Sequence, residues 1–270
     1  MLRSRLRGAL GQNNWAKFLG TGYYYRVIMD TNNYCNLHCE WCIVNRGPRF
    51  DISPEEVELF CEHFKGIGEK DEHRLVGGET TMMNLDTVRE LIDVFERYNR
   101  HLSILTNGYN ILGIGEEYLM KLSKVILDDH DINHDLLMKC KDKIENYQVV
   151  KVRNKQRHFN IAQGVEASRN AKGCKSWMRS ITLSERLIYP CCNIPALARY
   201  YRDDRIGKEL LAAGWTIDNP DLRETVRNWR ETLPPYLWWV CENKCWQPNL
   251  LQCDSYPITM KPNDVLTPQG

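Results

Sequence analysis

Three cysteines stand within eight residues in the run Cys35-Asn36-Leu37-His38-Cys39-Glu40-Trp41-Cys42. Thiolates at this density suit a soft metal ion or an inorganic iron–sulfur cluster. A zinc site needs a fourth donor, normally from a second CxxC knuckle, and His38 is the nearest candidate for it. A four-iron cluster normally takes four thiolates, so three leave one iron open to another ligand. Six further cysteines, Cys174, Cys191, Cys192, Cys241, Cys245 and Cys253, gather after residue 170, whereas Cys61 and Cys140 fall inside helical patterns and read as core thiols.

The elements around the first cluster are legible from periodicity. Residues 23–29, Tyr-Tyr-Tyr-Arg-Val-Ile-Met, form an aromatic and β-branched strand that runs into the cysteine loop. Ser53-Pro54-Glu55-Glu56 combines an N-cap, a proline at the first helical position and a capping-box glutamate, and Val57, Phe60, Cys61 and Phe64 then share a face. Strand His73–Val76 ends in Gly77-Gly78-Glu79, and strand Leu102–Leu105 ends in Thr106-Asn107-Gly108. An amphipathic helix through Leu85, Val88, Leu91, Ile92 and Phe95 lies between them. Strands 124–129 and 148–153 follow, with helical segments near 115–123 and 133–145, and residues 158–162 are a sixth strand candidate. This alternation predicts repeated βα units on a parallel sheet, an α/β fold of five or six units, fewer than the eight of a closed barrel. Ligands of such sheets sit at the carboxyl ends of the strands, where each polar signature lies.

Composition narrows the class. The 270 residues are 43% hydrophobic and 26% charged with a net charge of +1, which excludes disorder and gives no general reason for a nucleic-acid or anionic-membrane partner. The basic start lacks the apolar stretch of a secretory signal, and no run of about 18 apolar residues spans a bilayer. A reducing cytoplasm is therefore expected, where grouped thiols bind metals rather than pair with each other.

At these residues the sequence resembles the radical S-adenosylmethionine (radical SAM) family. Its signature is CxxxCxxC in the loop after the first strand of a partial TIM barrel, matched by Cys35, Cys39 and Cys42. Trp41 stands where the family places an aromatic residue near the adenine. Gly77, Gly78 and Glu79 match the segment that contacts the methionine amine, and Thr106-Asn107-Gly108 matches the TNG that many members carry. The resemblance implies a [4Fe–4S] cluster whose open iron is chelated by S-adenosylmethionine, reductive cleavage to a 5′-deoxyadenosyl radical, and a flavodoxin- or ferredoxin-type electron donor. It also implies polar residues on the fourth and fifth strands for ribose and carboxylate, and Asp128, Asp129 and Arg153 lie at comparable strand ends. His130, Asp131 and His134 follow closely and offer candidates for a catalytic base, but read first as a solvated loop.

The later cysteines resemble the opening of a SPASM or twitch extension, which carries auxiliary iron–sulfur clusters. Its pattern is a cysteine, a variable spacer, a glycine, a four-residue gap and a cysteine. Here eleven residues separate Cys174 from Arg186 and four separate Arg186 from Cys191, so Arg186 takes the place of the glycine and the hairpin turn there must be built otherwise. The CxxC–x5–C–x3–C run of a full SPASM domain is missing, which favours the one-cluster twitch type. The expected ligands are Cys174, Cys191, Cys241 and Cys245, with Cys192 or Cys253 as substitutes; structural zinc also fits that spacing.

The expected organisation is an N-terminal extension (1–22), a partial barrel (23–168), a small cysteine-rich twitch/SPASM-like domain (169–260) and a tail (261–270). The expected activity is hydrogen abstraction from a small polar metabolite, with the product radical oxidised through the auxiliary cluster. A peptide or protein maturase is the alternative, weighed against by the 34 residues that precede Cys35, few for a fused leader-binding domain. An iron–sulfur electron carrier is a third reading, for which a methionine-binding Gly77-Gly78-Glu79 would have no use.

Overall fold

The computed structural model describes residues 26–151 and 180–228, apart from residues 40, 41, 43, 45, 46 and 70, together with Trp15 and Phe18. Five parallel strands come first: β1 (Arg26–Asp30), β2 (His73–Val76), β3 (Leu102–Thr106), β4 (Lys124–Asp129) and β5 (Tyr147–Lys151). Helices α1 (Pro54–His63), α2 (Leu85–Arg97), α3 (Glu116–Lys121) and α4 (His134–Lys141) connect them. The sheet order is β5-β4-β3-β2-β1-β6-β7-β8, with β6 (Ser180–Ser184), β7 (Leu187–Tyr189) and β8 (Trp215–Thr216) beyond β1. Helices α5 (Asn193–Tyr200), α6 (Arg205–Ala212) and α7 (Leu222–Arg227) complete the described residues. The result is an open α/β fold on a mostly parallel sheet. None of the described helices is long and apolar enough to cross a membrane.

Each βα unit forms for local reasons visible in the chain. The α1 N-terminus is a full capping box: Glu56 N donates to Ser53 Oγ at 3.3 Å, and Ser53 N donates to Glu56 Oε2 at 2.8 Å. Such a cap is worth about 1 kcal/mol. Val57, Phe60 and Cys61 then turn inward, as do Val88, Leu91, Ile92 and Phe95 of α2. They pack against Val27, Met29, Leu75, Ile104, Val125 and Leu127 from the outer face of the sheet. Trp15 joins this core, stacked on Phe60 at 6.1 Å between ring centroids.

Beyond β1 the sheet gains strands that the periodicity did not mark. The candidate at 158–162 lies outside the described residues. The parallel neighbour that is seen, β6, pairs with β1, with Ile28 opposite Thr182 and Met29 opposite Leu183. It turns directly into β7, so residues 180–189 extend the same sheet as the cysteine-loop strand. The two-residue turn sets both Glu185 (φ 50°) and Arg186 (φ 61°) in the left-handed region, as a hairpin turn of type I′ requires. Arg186 thus adopts the conformation that glycine would enter freely. An ion pair with Asp218 and a hydrogen bond from Ile217 N to Arg186 O, 2.9 Å, hold it there.

A buried charge cluster ties this hairpin to the end of β1. Arg199 of α5, whose side chain is 2% exposed, reaches Asp30 Oδ2 at 2.6 Å and donates to Ser184 Oγ at 3.1 Å and Glu185 Oε1 at 3.2 Å. Ser184 Oγ donates to the same Asp30 oxygen at 2.8 Å. The guanidinium also lies over the Phe50 ring, 5.1 Å from its centroid, where the cysteine loop returns. Arg199 therefore fastens both ends of that loop. Removing one partner of a buried pair strands the other charge, which costs about 3–5 kcal/mol. Arg199→Met should lower the unfolding free energy by about that amount in urea titrations, whereas Arg205→Met, at an exposed surface pair, should change it by less than about 1 kcal/mol.

Candidate functional site

The cysteine loop docks on the end of β2 through its own backbone. Gly78 N donates to Asn32 O at 2.7 Å and Glu79 N donates to Tyr34 O at 2.8 Å. The Asn32 side chain repeats the link: its Nδ2 donates to Glu79 O at 2.9 Å, and its Oδ1 accepts from Gly78 N at 3.1 Å. A β-carbon on Gly78 would fall inside the van der Waals envelope of the Tyr34 carbonyl, and one on Gly77 would strike the Asn32 backbone. The contact that excludes a side chain at both positions is therefore with the loop that bears Cys35.

Glu79 is 1% exposed, and its carboxylate joins the ends of β2 and β3. Oε1 accepts from Thr81 N at 3.2 Å, Thr81 Oγ1 at 2.7 Å and Thr106 Oγ1 at 2.7 Å, while Oε2 accepts from Asn107 N at 2.7 Å. Burial raises its pKa and these donors oppose the rise. Asn107 passes the connection on: its Nδ2 donates to Asn36 Oδ1 at 2.8 Å and to Cys35 Sγ at 3.4 Å. Asn133, ahead of α4, donates to the carbonyls of Asn107 and Asp128 at 2.7 and 2.8 Å, so the ends of β3 and β4 are locked together.

Cys35, Cys39 and Cys42 line one cavity of about 340 Å³, together with Gly77, Gly78, Glu79, Thr106, Asn107 and Asp128. The cysteines, Gly77-Gly78-Glu79, Thr106-Asn107 and Asp128, four of the groups singled out from the sequence, thus converge on one space. Val76, Leu105 and Val150 form its apolar wall. Burial, and then the Glu79 charge, push the Cys35 thiol up, so it stays neutral until a metal displaces its proton. Among the described residues, no three His, Cys, Asp or Glu side chains are grouped as ligands of a single metal ion. A cubane offers its irons at separate corners, so thiolates that hold it stand further apart than ligands of one ion.

Asp128 and Asp129 part ways. The Asp128 carboxylate lines the cavity, and among the described residues it has no hydrogen-bond partner. Burial, then the Glu79 charge, raise its pKa from 3.8 to about 7, against the pull of Arg74. Asp129 is taken up by the following turn: it accepts from Asp131 N at 2.8 Å and pairs with His134 Nδ1 at 3.0 Å. Trp41 and Arg153 lie outside the described residues, as do Cys174, Cys241, Cys245 and Cys253. Of the later cysteines, Cys191 is buried and Cys192 half-buried where β7 leads into α5.

Two cavity residues escaped the sequence analysis. His130, read there as a solvated loop residue, lines the cavity with Nδ1 4.0 Å from Cys39 Sγ. Lys151 closes β5 at the cavity edge, paired with Asp131 at 2.8 Å. Asp131 holds this pair from a left-handed backbone (φ 66°). A cation at the end of the fifth strand is the signal in the sequence for Lys151, since strand ends shift by a residue or two.

Residues 29–146 match the Radical SAM superfamily. The matched stretch runs from within β1 to the residue before β5, and so takes in the cysteine loop, Glu79, Asn107 and Asp128. No curated protein matches the chain. Among solved structures, SuiB of Streptococcus suis bound to precursor peptide SuiA is similar at a TM-score of 0.48 and 13% identity, over 84% of this chain and 69% of that one. SuiB bound to S-adenosylmethionine gives 0.41 and 13%, over 64% and 61%. Native anSMEcpe with bound AdoMet and a peptide gives 0.38 and 19%, over 51% and 46%. The chain spans less than two thirds of the length of the last two.

The residues present fit a cluster and its amino-acid ligand. Three thiols line a common space, one sulfur already accepts N–H donors, and the Asp128 carboxyl, with no hydrogen-bond partner among the described residues, can take a polar or cationic group. Two outcomes follow. Gly78→Ala should force the cysteine loop off β2 and reduce iron bound after anaerobic reconstitution to less than half of wild type, read by iron and sulfide assay. For Asp128 the folded pKa of about 7 exceeds the unfolded 3.8, so the native state binds the extra proton in between and stability falls as pH rises through that window. Asp128→Asn should therefore raise the melting temperature of the metal-free protein at pH 8 and leave it unchanged near pH 3.

Proposed function

We propose that this chain is a radical SAM enzyme that holds a [4Fe–4S] cluster on Cys35, Cys39 and Cys42, and S-adenosylmethionine beside it. What carries the reading is the convergence of those three thiols with Glu79, Asn107 and Asp128 on one cavity of about 340 Å³. When bound, the cluster supplies one electron to the sulfonium, which breaks into methionine and a 5′-deoxyadenosyl radical.

The chain's part is orientation and exclusion. Gly77 and Gly78 give the amino-acid end close access along the edge of β2, and the Glu79 network keeps that edge rigid. Trp41 is assigned to the adenine. Asp128 serves the ribose hydroxyls, and the carboxylate is assigned to a cation at the end of the fifth strand, Arg153 or Lys151, of which Lys151 lines the cavity. Thr106 supports Glu79 and takes no ligand in this reading, and Asp129 serves the turn. Val76, Leu105 and Val150 present an apolar wall that limits how far a radical can wander before it meets the substrate's C–H bond.

The substrate we assign is a small polar metabolite, and an auxiliary iron–sulfur cluster is proposed as acceptor for the product radical's electron. Its ligands are Cys174, Cys191, Cys241 and Cys245, with Cys192 or Cys253 as substitutes. The support is the β6–β7 hairpin, which carries Cys191 at its base and builds its turn on Arg186 in place of glycine. A flavodoxin- or ferredoxin-type protein is the proposed donor, and the cytoplasm the proposed compartment.

Reconstituted protein given dithionite and S-adenosylmethionine should release 5′-deoxyadenosine, and Cys35→Ala should release none. A fully loaded wild type that yields no nucleoside would leave an electron carrier in its place. About eight irons per chain would support the second cluster, and about four would deny it. Deuterium carried from labelled metabolites or labelled peptides into 5′-deoxyadenosine would decide between the two substrate classes.

A further inference from the structure

Asn107 has every polar atom engaged, and the engagements differ in kind. Its backbone N–H donates to Glu79 Oε2 at 2.7 Å, and its carbonyl accepts from Asn133 Nδ2 at 2.7 Å. Its side-chain Oδ1 accepts from Tyr109 N at 3.0 Å, which leaves the amide NH2 turned the other way, toward Asn36 Oδ1 at 2.8 Å and Cys35 Sγ at 3.4 Å. A flipped amide would set oxygen against the Asn36 oxygen and the sulfur, so the network selects one orientation. Leu37 N donates to the same sulfur at 3.3 Å. Cys35 Sγ thus receives one donor from its own loop and one from the end of β3.

Hydrogen bonds to the sulfurs are among the determinants of an iron–sulfur potential, since a donor stabilises the added negative charge of the reduced state. The setting makes the donor matter. The buried Glu79 carboxyl and the Cys35 sulfur line the same cavity. The Asn107 side chain donates to that sulfur, while its backbone N–H donates to that carboxyl. One residue thereby links the two.

We propose that Asn107 is a positioning residue that raises the reduction potential of the cluster on Cys35, Cys39 and Cys42 by donating its amide N–H to the Cys35 sulfur, and that fixes this sulfur relative to Glu79. This deepens the radical SAM reading and rests on it. One electron enters the cluster from the donor protein; no proton or bond changes place at Asn107. The residue acts on the energy of that electron rather than on S-adenosylmethionine itself.

The test is a redox titration of the reconstituted full chain, followed by electron paramagnetic resonance, in wild type, Asn107→Asp and Asn107→Leu. The aspartate keeps the shape and the acceptor for Tyr109 N but loses the donor; the leucine loses the donor without adding charge. Both should shift the reduction equilibrium at least tenfold toward the oxidised cluster, about 59 mV for one electron, with the aspartate the more affected. Unchanged potentials in the loaded variants overturn the inference. Should the variants fail to load, an unchanged melting temperature of the metal-free protein supports the placement of the sulfur by Asn107, and a parallel fall overturns it in favour of a role in the fold alone. A wild type that binds no cluster fails the underlying reading instead, and the two failures are told apart by the wild-type arm.

Discussion

A single buried carboxylate organises this molecule's reactive end. Glu79 sits where three loops meet, and four hydrogen bonds converge on it from Thr81, Thr106 and Asn107. A carboxylate in such a place is costly unless each oxygen is paired, and a half-satisfied network would be worse than an apolar plug. The network is therefore all or nothing. With it, the ends of β2 and β3 and the cysteine loop have one mutual arrangement; without it, the thiols of Cys35 and its neighbours have no common frame.

The glycines before Glu79 belong to the same logic. Their lack of side chains lets two stretches of backbone meet at hydrogen-bond distance, Gly78 with Asn32 and Glu79 with Tyr34. The cysteine loop is in effect sewn to β2 before any ligand arrives. Preorganisation of this kind lowers the entropy lost when a ligand is bound. The fit that a reactive radical demands then begins with the protein's own packing.

Much of this was legible from residue order. The four described βα units and β5 follow from hydrophobic periodicity and capping, the α1 capping box forms as Ser53 and Glu56 require, and the polar signatures fall at strand ends because parallel sheets expose them there. What escaped depends on long-range pairing. Strand β6 is short, and nothing local says that Ser180–Ser184 should lie beside β1; burial on both faces removes the alternation that marks a strand at a surface. His130 and Lys151 looked like ordinary polar residues because only the tertiary fold brings β4 and β5 ends over the cysteine loop. Arg186 was legible as an anomaly in place of glycine, and its positive φ shows the backbone obeying the hairpin's geometry at the expense of residue preference.

The position of β1 inside the sheet has a consequence for biosynthesis. Its carboxyl end, Asp30, is held by Ser184 and Arg199, which lie 154 and 169 residues further along the chain. Contacts of such separation form late, after the local βα units have been made. A growing polypeptide emerging from the ribosome therefore carries its three clustered thiols for most of its synthesis without the wall that will steady them. Metal delivery to this protein is accordingly expected to follow synthesis of α5, because a product truncated before Arg199 keeps the Glu79 network but lacks the clamp on Asp30 at the root of the cysteine loop.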